Sequence, residues 1–177
     1  LTNMKKIMLI CLIGLFAISQ SKAQEDKDVS VMTFANMIGG VWKAEGKWMN
    51  GNDFKQHMEF KWGLNQTIIK VKTYGITDEE SGDFGLRSEG IRAWSERDNS
   101  FKFWEFDVFG GVTEGLCIID GESVHYLYEY KWDESYALFK DSWTKIDDDT
   151  YRYRVGIFAA GQWKSIYLDT TFKRYEK

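Results

Sequence analysis

The sequence contains no proline. No strand ladder is therefore interrupted by a residue lacking its N–H, and no proline-rich linker divides the chain. Histidine is scarce as well: His57 and His125 are the whole supply. Neither stands in an H-x-H or H-E-x-x-H pair, so no metal site is expected. A G-x-S-x-G elbow, a phosphate-binding loop and a G-x-G-x-x-G fingerprint are all missing, and with them the usual signals of a serine hydrolase or a nucleotide enzyme. The run Asp147-Asp148-Asp149 falls where a hairpin turn belongs and lacks the spacing of a calcium loop. No catalytic residue and no cofactor is assigned on these grounds.

Cysteine is limited to Cys11 and Cys117. Cys11 lies in an N-terminal segment with the layout of a secretory signal. Lys5 and Lys6 form a positive start, residues 7–18 are an apolar run of 12, and Ser21-Lys22-Ala23 supplies small residues before Gln24. The run is shorter than the roughly 20 residues a membrane span needs. Residues 1–23 are accordingly expected to be a cleaved signal peptide, leaving no stable membrane anchor. Residues 24–177 then form one domain, exported to the periplasm or the medium. Loss of Lys5, Lys6 and Lys22 takes the net charge from −4 to −7. That acidity argues against nucleic acid and anionic membranes as partners. Cys117 would be alone, so no internal disulfide is expected, and its apolar neighbours suggest an inert buried thiol.

What is present is aromatic and β-rich. After the leader, Ser30 can cap a short helix that Gly39 ends, with Phe34, Met37 and Ile38 on one face. Ten strands follow, near 41–49, 54–62, 66–74, 86–95, 100–108, 112–119, 122–132, 137–146, 150–158 and 163–174. Most connections are too short for anything but antiparallel neighbours. The longest, residues 75–85, is acidic and glycine-containing, and suits a lid. A ten-strand open meander would leave two bare edges, and closure removes them. The expected fold is all-β: a ten-stranded antiparallel up-and-down meander barrel with a short N-terminal helix at one end. Ten strands enclose more space than eight, so a cavity is expected. A two-sheet sandwich with a solid interior is the alternative.

Which residues face inward depends on two turns. If Gly110-Gly111 is a two-residue turn, Phe106 faces Gly115 and Trp104 faces Cys117. If Asp120-Gly121 is another, Gly115 faces Tyr126. One face then holds Trp104, Phe106, Val108, Thr113, Gly115, Cys117, Ile119, Val124, Tyr126, Tyr128 and Tyr130, without a formal charge. The opposite face holds Glu105, Asp107, Glu114, Glu129 and His125. Unpaired buried carboxylates cost several kcal/mol each, which places the uncharged face inside. Gly115 would leave room opposite Phe106 and Tyr126. In the second strand Phe54, Met58, Phe60 and Trp62 share a parity; in the fourth, Ser88, Gly90, Arg92 and Trp94 do. Arg92 beside Trp94 is expected at the surface, its stem covering the ring, with an anion contact as the alternative.

These assignments give a ligand-binding wall of Trp62, Trp94, Trp104, Phe106, Tyr126 and Tyr128, and a small hydrophobic or amphipathic molecule as partner. Two other functions stay open. A protein- or glycan-binding module with a solid core would use Trp48, Trp132 or Trp163 as surface platforms. An enzyme would need the reverse orientation, with Asp107 and Glu114 paired in a dry interior and Glu105 and His125 flanking Leu116. A nucleophilic Cys117–His125 pair is disfavoured, because the register puts the two on opposite faces.

Gly40-Val41-Trp42 heads the first strand, and Arg174 lies near the end of the last. This pairing resembles the calycins, in which a G-x-W tryptophan at the closed end of the barrel packs against a basic residue of the final strand. More closely, "GIRAWSERDNSFKFWEFDVFGGVTEG" and "DDDTYRYRV" look like an uncharacterised bacterial family of exported lipocalin-like domains, over about residues 37 to 175. The resemblance implies the barrel and a cavity, and brings no chemistry. Haem binding, known for the relative nitrobindin through a histidine late in its chain, is not carried over, because no histidine follows His125.

Overall fold

The computed structural model describes residues 31–132 and 134–175. The signal-peptide segment and Ser30 lie outside the described residues. A 3-10 turn, Thr33–Met37, precedes ten strands: β1 (Val41–Lys47), β2 (Asp53–Gly63), β3 (Ile68–Ile76), β4 (Phe84–Ser95), β5 (Ser100–Asp107), β6 (Val112–Asp120), β7 (Ser123–Trp132), β8 (Ser135–Asp147), β9 (Thr150–Ala159) and β10 (Gln162–Tyr175). Every sequential pair is antiparallel, and β1 pairs with β10, so the sheet closes into an up-and-down barrel. A closed barrel has no bare edge, which rules out the open sandwich.

The expected N-terminal helix is replaced by the 3-10 turn. The physical reason is the spacing of its apolar residues. In a 3-10 turn, residues i and i+3 eclipse, which puts Phe34 and Met37 on one line. Both are fully buried and plug one end of the barrel. Phe34 packs on Phe60 and Phe101, with ring centroids 6.4 Å and 5.7 Å away. The Trp42 indole N–H donates to the Met37 carbonyl at 2.8 Å. Arg174, directly opposite Trp42 in the ladder, sets its guanidinium 4.5 Å from the centre of that ring. It also donates to the carbonyl oxygens of Asn36 and Asp148. Trp42, Trp143, Tyr151 and Phe172 complete a solid aromatic layer at this closed end; Trp143 and Phe172 stack at 4.4 Å.

The acidic connection between β3 and β4 is shorter than the sequence suggests, because Gly75 pairs with Gly85 and Ile76 with Phe84. Residues 77–83 remain. Asp78 braces them by accepting from the backbone N–H groups of Glu80 and Ser81. Bulges in the β3–β4, β8–β9 and β9–β10 ladders bend the strands around the barrel.

The β5–β6 hairpin is the main correction. Its turn is not Gly110-Gly111 but a four-residue loop, 108–111, with Phe106 opposite Val112, Trp104 opposite Glu114 and Phe103 opposite Gly115. The cause is Asp107. Its carboxylate accepts from the backbone N–H groups of Phe109 at 2.9 Å and Gly111 at 2.8 Å, closing an Asx-type turn earlier than the glycine pair would. Against the expected register the strand slips by three residues, an odd number, so every β5 side chain changes face. Phe101, Phe103 and Glu105 point inward. Trp104 and Phe106, both expected in the cavity wall, point outward, and Phe106 is 52% exposed. The next turn, Gly121-Glu122, shifts the register by two, which leaves the β7 faces as expected: Cys117 meets Tyr126 and Gly115 meets Tyr128.

Candidate functional site

The slip of β5 carries a carboxylate into the barrel, and β4 supplies its partner. Arg92 is 4% exposed rather than on the surface. Its Nη1 lies 2.8 Å from Glu105 Oε2. Two further groups hold Glu105: Ser88 Oγ donates to Oε1 at 2.6 Å and Thr73 Oγ1 at 3.4 Å. Burial works against the charge on Arg92, but the Glu105 carboxylate together with Tyr126 and Cys117 outweighs it, so the guanidinium is held above its ordinary range. Its plane faces the rings of Tyr126 at 5.0 Å and Phe103 at 5.4 Å. Gly90 is the reason the pair fits beside the sheet. A Cβ there would fall on Glu105 Oε2 and Arg92 Nη1. Gly115 is needed in the same way, but the space above it is not open as expected: the Phe103 ring fills it.

Across the interior, β8 contributes Asp141. It accepts from the Tyr128 hydroxyl at 2.9 Å and from the Tyr153 hydroxyl at 2.7 Å. Among the described residues no cation lies within ion-pair distance of it. Burial raises its carboxyl to about 6, against the pull of the two phenol hydrogen bonds, and the Glu105 charge adds to the rise. Burial, with the charge of Asp141 beside them, pushes the Tyr128 and Tyr153 phenols upward in turn. Burial likewise raises the Tyr126 phenol and the Cys117 thiol. Cys117, free and buried, is therefore a weak nucleophile.

Together, Thr73, Ser88, Arg92, Glu105, Tyr126, Tyr128, Asp141 and Tyr153 form a polar layer above the aromatic plug. Two features distinguish it from an ordinary core. Arg92 Nε and Gln56 Oε1 are buried without a hydrogen-bond partner among the described residues. Asp141, Glu105, Tyr128 and Gln56 are surrounded by protein yet only half-buried, so solvent touches inward-facing groups. Toward the end of the barrel away from the plug, Tyr130 and Tyr167 set their rings 5.5 Å and 5.9 Å from that of Phe139 and form an aromatic rim.

Of the six residues expected in the binding wall, only Tyr126 and Tyr128 meet in this layer. Trp62 and Trp94 face inward but sit at the closed end, opposite Ile69 and Phe101 respectively. Trp104 lies on the outer wall, where its indole N–H donates to Glu114 at 2.9 Å. Phe106 is outside too. The charged members, Arg92, Glu105 and Asp141, were missed because each is a single charge on its own strand, and only the register unites them. A signal existed for Asp141: it occupies the inward parity between Phe139 and Trp143, in a pattern that otherwise puts rings in the core.

Of the carboxylates and the histidine that the enzymatic alternative would turn inward, the register brings in Glu105, paired with Arg92, and does not assemble the rest. Asp107 is used in its turn, Glu114 is outside, and His125 is on the outer wall of β7. His125 does form a chain there: Nδ1 lies 2.9 Å from Ser142 Oγ, and Nε2 lies 4.0 Å from Asp120 Oδ2. Ser142 is 1% exposed and shared with Thr144 Oγ1, which leaves no attack position for a substrate. Of the proposed surface platforms, Trp48 packs edge-on against Phe54, and Trp163 packs against Phe158 beneath Lys140 and Arg154. The side chain of Trp132 lies outside the described residues. No family model matches the chain, and no curated protein matches its sequence.

Proposed function

We propose that this is an exported barrel of the lipocalin-like type that binds a small amphipathic molecule through its mouth. The observation that carries the reading is a pair of inward groups lacking partners among the described residues, Arg92 Nε and Gln56 Oε1. An unsatisfied buried donor or acceptor costs about 1–3 kcal/mol, a burden that a core without a ligand has no reason to keep. A polar layer under an aromatic rim is also the arrangement by which pockets orient a molecule with one polar end. Affinity would come from apolar area at the rim, about 25 cal/mol per Å² before ordering costs, and orientation from the layer below. The Trp42–Arg174 contact at the closed end supports the calycin resemblance, and the N-terminal segment supports export.

Nile red, an uncharged dye, tests the reading. The expected result is saturable one-to-one binding with enhanced emission, abolished by Tyr126→Trp, which blocks the interior. Trp104→Ala, on the outer wall, should leave it unchanged. Absence of saturable binding, or its loss in Trp104→Ala alone, would sink the proposal.

A further inference from the structure

The charges of the polar layer do not balance. Arg92 is matched by Glu105 at 2.8 Å, and Glu105 is satisfied further by Ser88 and Thr73. Asp141 has two phenol donors and, among the described residues, no cation within ion-pair distance; Arg92 acts on it only from across the interior, already paired with Glu105. An anionic head group entering the layer would find the guanidinium already neutralised and a second carboxylate nearby. A cationic head group would find a carboxylate that lacks a counter-ion, set among ring faces. Tyr128 and Tyr153 hold that carboxylate, and Phe139 follows on the same inward face, its ring 6.0 Å from Tyr128. Aromatic faces attract cations, most strongly where water is excluded.

We infer that the ligand of this site is an organic cation, an alkyl or aryl ammonium, whose head pairs with Asp141 while its apolar body lies in the aromatic rim. The inference rests on the interior-binding reading above and adds the chemical class of the ligand. It sets this barrel apart from one that takes up fatty carboxylates.

A proton competes for the same carboxylate. The groups that face Asp141 are Tyr126 and Tyr128 from β7 and Tyr153 from β9, with Arg92, Glu105 and Cys117 across the interior. The phenols and the thiol are all raised, so none of them loses its proton near neutrality. Asp141, at about 6, changes charge in the physiological range. An ammonium ligand keeps its charge throughout that range, so its binding should strengthen as pH rises and Asp141 ionises.

The test uses octylammonium, octanol and octanoate as competitors of bound Nile red. At neutral pH octylammonium should displace the dye about tenfold more effectively than octanoate, with octanol between them. Its affinity should rise about tenfold from about pH 5 to about pH 7, following the ionised fraction of Asp141. Asp141→Asn should cut the preference to less than about threefold and flatten the pH dependence, while Glu114→Gln on the outer wall should change neither. The pH series on the unaltered protein stands by itself should Asp141→Asn fold poorly. Dye binding with equal competition by all three compounds, or with octanoate strongest, overturns the cation inference and leaves interior binding intact. No saturable dye binding overturns both.

Discussion

Asp141 gives the folded state a pH dependence whose sign can be worked out. Its carboxyl moves from an ordinary 3.8 to about 6 on folding. The folded state therefore holds the proton more tightly than the unfolded chain. The stability contributed by that proton is complete below the unfolded value and is lost as pH rises through about 6. The shift corresponds to at most about 3 kcal/mol, less in so far as solvent reaches the group. Exposed carboxylates such as Asp169, lowered by its Arg152 partner, titrate with the opposite sign. The useful quantity is thus a difference between variants. Asp141→Asn should match the parent protein near pH 4 and exceed it by about 2–3 kcal/mol near pH 7.5, read from urea unfolding at both pH values. A constant gap would mean that the carboxyl titrates normally. Residues such as this were the least legible in the sequence. Arg92 and Glu105 each look like surface charges on their own strand, and their pairing depends on a register that neither residue reveals.

The elements themselves were legible, because strand periodicity and turn residues are local properties. All ten strands stand where alternation of Val, Ile, Thr and aromatic residues places them, with ends displaced by one or two positions. The 108–111 loop was not legible, since two adjacent glycines advertise a turn that Asp107 pre-empts. The hairpin therefore turns on a side chain. Asp107→Ala removes two charge-assisted bonds to backbone N–H groups and should cost about 1–2 kcal/mol. It should also loosen the pairing of Phe106 with Val112, seen as faster amide hydrogen exchange across the loop than in a Val108→Ala control. Exchange unchanged from that control would mean that the ladder, and not Asp107, fixes the register.

At the scale of the molecule, closure depends on a short seam. β1 and β10 share three ladder partners, Val41 with Tyr175, Trp42 with Arg174 and Lys43 with Lys173, while β1 and β2 share six. Further along, the Thr170 hydroxyl donates to the Glu45 carbonyl, and Arg174 ties the seam to the 3-10 turn. Packing of Trp42 against Tyr151 and Arg174 makes up for the few backbone bonds. The seam also brings the first and last elements of the barrel to the same place. A chain with the end of β10 joined to the 3-10 turn by a flexible linker, and opened instead within residues 77–83, keeps every strand pairing. We expect this circular permutant to melt cooperatively with the parent's far-ultraviolet dichroism; a molten or aggregated product would show that the seam is required as a late folding step. The order in which the strands are synthesised is in that sense separable from the order in which they stand around the ring.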